Sequence, residues 1–170
     1  HISPAFCFTV FVLWLLSVAM DGPLLTAIDI LHPADVFLPV HVISLLLIGL
    51  FCTYKLLERL LPVGCMLTAL LTPSLALTNT SFQPGILVIL GISGALVAVG
   101  SCLILRKSPT PLLSAALGLV VANLMFWPVN HWFQGGFWHL VPVFVPLLAI
   151  PVLTRCLPLP STPYKHYSLW

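Results

Sequence analysis

Residues 85–105 read GILVILGISGALVAVGSCLIL, opened by Gln83-Pro84 and closed by Arg106-Lys107. A helix needs about 20 apolar residues to cross the hydrocarbon of a bilayer, and this stretch has that length with no charge inside it. It predicts a membrane-spanning helix. Working outward, comparable apolar runs cover 5–20, 36–54, 60–77, 112–127 and 137–155. The expected fold class is therefore an all-α polytopic membrane protein with six transmembrane helices. The connections are short, so residues 1–170 form one transmembrane domain with a tail at 158–170.

Composition points the same way. Hydrophobic residues make up 60% of the chain, charged residues only 6%, and the mean hydropathy is +1.15. A soluble domain carries roughly 25% charged residues, so lipid is the solvent for most of this chain. The net charge of +2 offers nothing to nucleic acid. Cys7, Cys52, Cys65, Cys102 and Cys156 show no metal-type spacing and read as reduced, buried small hydrophobes. The apolar run after His1 lacks a basic flank and a small-residue cleavage site, so it reads as a first span rather than a secretion signal.

Charge sets the expected orientation. Lys55 and Arg59 lie between the second and third spans, Arg106 and Lys107 between the fourth and fifth, and Arg155 and Lys165 after the last. All six then share one side, which the positive-inside rule makes cytoplasmic, with both termini there. Asp21, Asp29 and Asp35 fall in the opposite, outer connection, as do Asn79-Thr80-Ser81, a glycosylation sequon close to the membrane, and an interfacial belt of Trp127, Trp132 and Trp138. Prolines interrupt the third span at Pro62 and Pro73 and the sixth at Pro142, Pro146 and Pro151. The sixth helix is expected to be kinked and packed against protein where carbonyls are freed.

Ser93 carries the leading functional reading in these spans. Pro84 and Gly85 are poor helix formers, so 82–91 is expected to enter as non-helical chain with a short helix starting near Ser93. Free N–H groups of such a first turn can hold an oxyanion, and Gly91 and Gly94 admit a close approach. A serine nucleophile needs a base in hydrogen-bond reach. Of His32, His41, His131 and His139, near the outer boundary, His139 is the best placed in depth, while His131 is assigned to the loop. The same residues with Ala95, Ala98 and Gly100 also make a small-residue stripe suited to plain helix packing.

Gly91-Ile92-Ser93-Gly94-Ala95, followed by a helix ending in Arg106-Lys107, resembles the fourth helix of the rhomboid intramembrane serine proteases. Leu57-Glu58-Arg59-Leu60 resembles that family's Glu-Arg segment. The resemblance covers roughly residues 36–155. It implies a rhomboid-like bundle in which Ser93 is the nucleophile and His139 the general base. It further implies His41 as an oxyanion helper with Gly91 and Gly94 in support, a transmembrane protein as substrate, and no cofactor. The chain departs from the family at Leu45, where an asparagine is usual, and at Val97, where an aromatic is usual. It departs again at Pro142 and Pro146, in place of two glycines, and in lacking a Trp-Arg element in the first loop. An inactive rhomboid-like protein that binds partner helices, or a non-catalytic membrane subunit, accommodates those departures.

Two further readings treat the histidines as ligands. His41 and His139 could hold a haem between two helices. His32, His131 and His139, with Asp29 or Asp35, could hold a zinc, and Phe137-Trp138-His139 resembles the last helix of zinc-dependent membrane hydrolases, though Gly135 stands where their second histidine falls. A transporter is disfavoured, because every carboxylate lies at a helix end. Asn123, mid-span, is expected to bond a neighbouring helix.

Overall fold

The computed structural model describes residues 3–19, 33–78, 81–132, 138 and 140–156. Among them there is no β-strand. Helix α1 (Ser3–Trp14) ends in a π-helical turn, Leu15–Ala19. Then come α2 (Pro33–Phe51), α3 (Tyr54–Leu77), α4 (Gln83–Arg106) and α5 (Pro111–Trp132). The last apolar stretch is broken into α6 (Val141–Phe144), a 3-10 turn (Val145–Leu148) and α7 (Ala149–Cys156). Four helices, α2 to α5, are long and apolar enough to cross a membrane. At about 1.5 Å per residue, the 24 residues of α4 reach about 36 Å, enough for a hydrocarbon core of about 30 Å.

The segments at 5–20 and 137–155 are helical where described but shorter than a full span, with apolar helical cores at Pro4–Ser17 and Val141–Val152. The expected kink in the last helix is a set of breaks. Pro146 and Pro151 each remove a backbone donor that the preceding turn would have used, and the chain answers with a 3-10 turn between two short α pieces. By contrast, α3 runs unbroken through Pro62 and Pro73. Around Pro73, hydroxyls take up carbonyls of the same helix: Thr72 Oγ1 donates to Thr68 O at 2.6 Å, Ser74 Oγ to Leu71 O at 2.7 Å and Thr78 Oγ1 to Ser74 O at 2.8 Å.

Helix boundaries also move. Helix α3 starts at Tyr54 rather than residue 60, because Lys55, Leu56, Leu57, Glu58 and Arg59 are all good helix formers. Helix α5 continues past 127 through Pro128 to Trp132, so His131 is helical, not in a loop. Of the cysteines, Cys7 and Cys65 are buried as expected, while Cys102 is exposed on α4. Cys7, Cys52, Cys65 and Cys102 are free.

Helix α4 is the axis of the bundle, packed along α2, α3 and α1. Its buried residues, from Leu87 and Leu90 through Gly94, Ala95 and Val97 to Ile104 and Leu105, cover most of its circumference, while Val88, Ile89, Ile92 and Cys102 leave one face exposed. Helices α3 and α4 are antiparallel: Thr68 meets Ser93, Gly64 meets Leu96, and Glu58 pairs with Lys107 at 3.7 Å. That ion pair gathers Lys55, Arg59, Arg106 and Lys107 at one end of the pair. Helix α5 packs chiefly on α1, and the last segment on α3 and α1. The outward sides of α2 and α5 carry long rows of exposed apolar side chains, such as Leu46, Leu50 and Phe51, and Leu112, Leu117 and Leu124.

The α2–α4 contact depends on Gly91. A methyl there would stand 2.9 Å from Val40 Cγ1 and 3.3 Å from the His41 backbone nitrogen, so the two backbones meet only because no side chain intervenes. Gly91→Val is expected to cost about 1–3 kcal/mol by overpacking, read as an earlier unfolding midpoint in a mixed-micelle titration. Gly49→Val, where a methyl meets nothing within 4 Å, should leave the midpoint unchanged.

Candidate functional site

Ser93 lies in the third turn of an unbroken helix, not at a helix start. Pro84 and Gly85 sit in the first turn of α4, where proline is favoured because its missing N–H would have no partner anyway. The expected non-helical entry through 82–91 is therefore absent. At Ser93 the backbone N–H groups belong to the i to i−4 ladder, so the helix itself offers no free donors for an oxyanion.

The Ser93 side chain is 1% exposed and points toward α3. Its Oγ accepts from Thr68 Oγ1 at 3.0 Å and lies 3.4 Å from Leu90 O. Thr68 Oγ1 also reaches Gly64 O at 2.8 Å, and a hydroxyl carries one proton, so Thr68 serves the two acceptors alternately. One turn further on, Thr72 Oγ1 accepts the indole N–H of Trp14 at 2.9 Å. Ser93, Thr68, Thr72 and Trp14 thus form a polar string through the packed centre of the bundle. Ser17 and Ser101 are buried hydroxyls without a partner among the described residues.

His41 is buried on α2, stacked on Phe37 with ring centroids 5.0 Å apart. Its Nδ1 lies 3.1 Å from the Gly91 carbonyl. A carbonyl only accepts, so Nδ1 carries the proton and Nε2 is left with the lone pair in the neutral ring. That tautomer cannot donate from Nε2 to an oxyanion. The ring also contacts the Gly94 position, where a methyl would be 3.5 Å from Nδ1. At about 100° per residue, Ser93 is rotated about 200° from Gly91 around the helix axis. His41, Gly91 and Gly94 therefore meet on the α2 side of α4, while Ser93 faces α3. The backbone of α4 separates the serine from the buried histidine.

His139, the expected base, lies outside the described residues, as do His32 and Asp29. His131 is exposed in the last turn of α5, its Nδ1–H donating to Trp127 O at 3.1 Å and its ring stacked on Trp127 at 4.5 Å. Asp35 is exposed in the first turn of α2. Among the described residues no three His, Cys, Asp or Glu side chains converge on a point where a metal could sit. Asn123 does not bond a neighbouring helix as expected; it is exposed, and its amide donates to Leu119 O of its own helix at 2.8 Å. Asn79 and Thr80 of the sequon are likewise outside the described residues.

Sequence reasoning passed over Trp14, Thr68 and Thr72. The available signal was two threonines at i and i+4 in an apolar run with Gly64, Cys65 and Ala69, a small polar stripe on one face. A tryptophan inside the first span rather than at its edge was a second.

The Trp14–Thr72 bond gives a measurable effect. Thr72→Val would leave a buried indole N–H without an acceptor and is expected to cost about 1–2 kcal/mol in mixed-micelle unfolding. Thr72→Ser should restore most of the loss. No protein-family model, curated protein or solved structure matches the chain.

Proposed function

We propose that this chain is a non-catalytic integral membrane protein, a subunit or an inactive rhomboid-like bundle, that works through its helix faces rather than through chemistry at Ser93. The observation that carries this reading is the engagement of the Ser93 hydroxyl by Thr68 within an unbroken α4. A nucleophile needs a base and a set of oxyanion donors beside it; here the hydroxyl is part of the α3–α4 contact and the nearby amides are used by the helix. Lipids and partner helices are the chemistry that the apolar outer rows of α2 and α5 fit. The basic residues gathered at the α3–α4 end would face the cytoplasm, with the termini on that same side and the chain multi-pass.

One observation favours a second reading, a rhomboid-like protease with a Ser93–His139 dyad cutting transmembrane substrates. Ser93 faces α3, and the segment that follows His139 also packs on α3, beginning with the fully buried Leu140. In that reading α4 would have to open before Ser93 to free its amides, and Thr68 would have to release the hydroxyl.

A fluorophosphonate probe applied to the chain in proteoliposomes, beside a known serine hydrolase in the same bilayer, separates the two. The first reading expects no labelling that depends on Ser93. Labelling of the wild type that disappears in Ser93→Ala would overturn it, and loss in His139→Ala as well would establish the dyad.

A further inference from the structure

Asn123 lies at the middle of a membrane-spanning helix and faces away from its own bundle. From Pro111, twelve steps of about 1.5 Å place it about 18 Å along α5. The inward side of α5 is the buried stripe Ser114, Gly118, Ala122 and Val129. With about 100° per residue, the side opposite that stripe carries Leu113, Ala116, Val120, Asn123 and Trp127, all exposed. Their spacing alternates three and four residues, the repeat that lets two helices pack with a left-handed crossing.

Apolar side chains on this face are content in lipid, but a carboxamide is not. It offers two donors and an acceptor oxygen, and among the described residues its one partner is Leu119 O, which takes a single N–H. The remaining donor and the oxygen have no partner in acyl chains, and asparagine is too short to reach the interface from this depth.

We propose that α5 is a homodimer interface, in which Asn123 of two copies exchange hydrogen bonds across a two-fold axis. The occupant that fits is a second copy of this chain, because a carboxamide is its own complement: each copy's free N–H meets the other's oxygen. A two-fold contact places like residues of this face opposite one another. Ala116, one heptad before Asn123, is small enough to let the helices approach to that distance. A polar residue at one core position of such a seam sets register and partner number. The inference rests on α5 being embedded in a membrane and is independent of whether Ser93 has any chemistry. Probe labelling and self-association are separate measurements, so failure of one leaves the other standing.

The test is energy transfer between donor- and acceptor-labelled full-length chains in liposomes, titrated by diluting with lipid. The wild type should self-associate, with a limiting transfer that fits two copies. Asn123→Leu should require roughly tenfold more protein per lipid for half-maximal transfer, while Asn123→Gln keeps most of the association. Ala116→Leu, which leaves the amide in place, should also weaken association by holding the helices apart. Leu46→Ala, on the exposed side of α2, should change nothing. A wild type that stays monomeric at all dilutions overturns the proposal, even if another membrane protein accompanies it on purification. Unchanged association in a folded Asn123→Leu or a folded Ala116→Leu overturns it as well.

Discussion

The indole of Trp14 is seated against Gly94, and four helices meet there. A methyl at residue 94 would stand 2.9 Å from the Trp14 ring, so the ring occupies the space that glycine leaves open. From that seat the ring edge meets Phe37 of α2, with centroids 5.8 Å apart and planes at 68°, and the N–H reaches Thr72 of α3. A fully buried tryptophan contributes a large contact area and demands an acceptor for its one polar atom. Both demands are met only if α1, α2 and α3 take their places around α4 together. In lipid, where apolar burial gives helices little reason to associate, such a combination of close fit and satisfied polarity is what holds a bundle in one arrangement.

The hydroxyls follow the same logic. Thr68, Thr72 and Ser93 lie in the interior where water is scarce, and each is held by a carbonyl or another hydroxyl. Their geometry is that of interhelical contact rather than an open catalytic pocket. His41 belongs to a different layer, stacked on Phe37 and bonded to the Gly91 carbonyl, on the far side of α4 from the serine. Ser93 and His41 are thus separated by the helix that carries the serine.

Proline has opposite consequences in two helices of this chain. In α3, Pro62 and Pro73 leave the helix intact, and hydroxyls at Thr72, Ser74 and Thr78 hold carbonyls around the second of them. In the last segment, Pro142, Pro146 and Pro151 recur every four or five residues with no hydroxyl among residues 141–151, and the helix breaks into short pieces. Closely recurring prolines, rather than any single proline, coincide with the break, since α2 runs intact through Pro39 and α5 through Pro128.

Length and composition of 85–105 were enough to read a spanning helix, because hydropathy and helix rise are local quantities. The same holds for the spans that became α2, α3 and α5, and for the small residues Gly91 and Gly94 as places of close approach. Sequence could not decide which way Ser93 points. That depends on whether the helix begins before or after Pro84-Gly85, and a start at Gln83 rotates the hydroxyl to α3 and closes the amides around it. Nor could it tell that Asn123 faces outward, since a polar residue in an apolar run reads alike on either side until the neighbouring helices are placed. Local hydrophobicity determined that this chain forms lipid-length helices. Only the packing of α1, α2 and α3 around α4 decided which side chains meet, because contact between distant segments is a property of their shared geometry and not of any one of them.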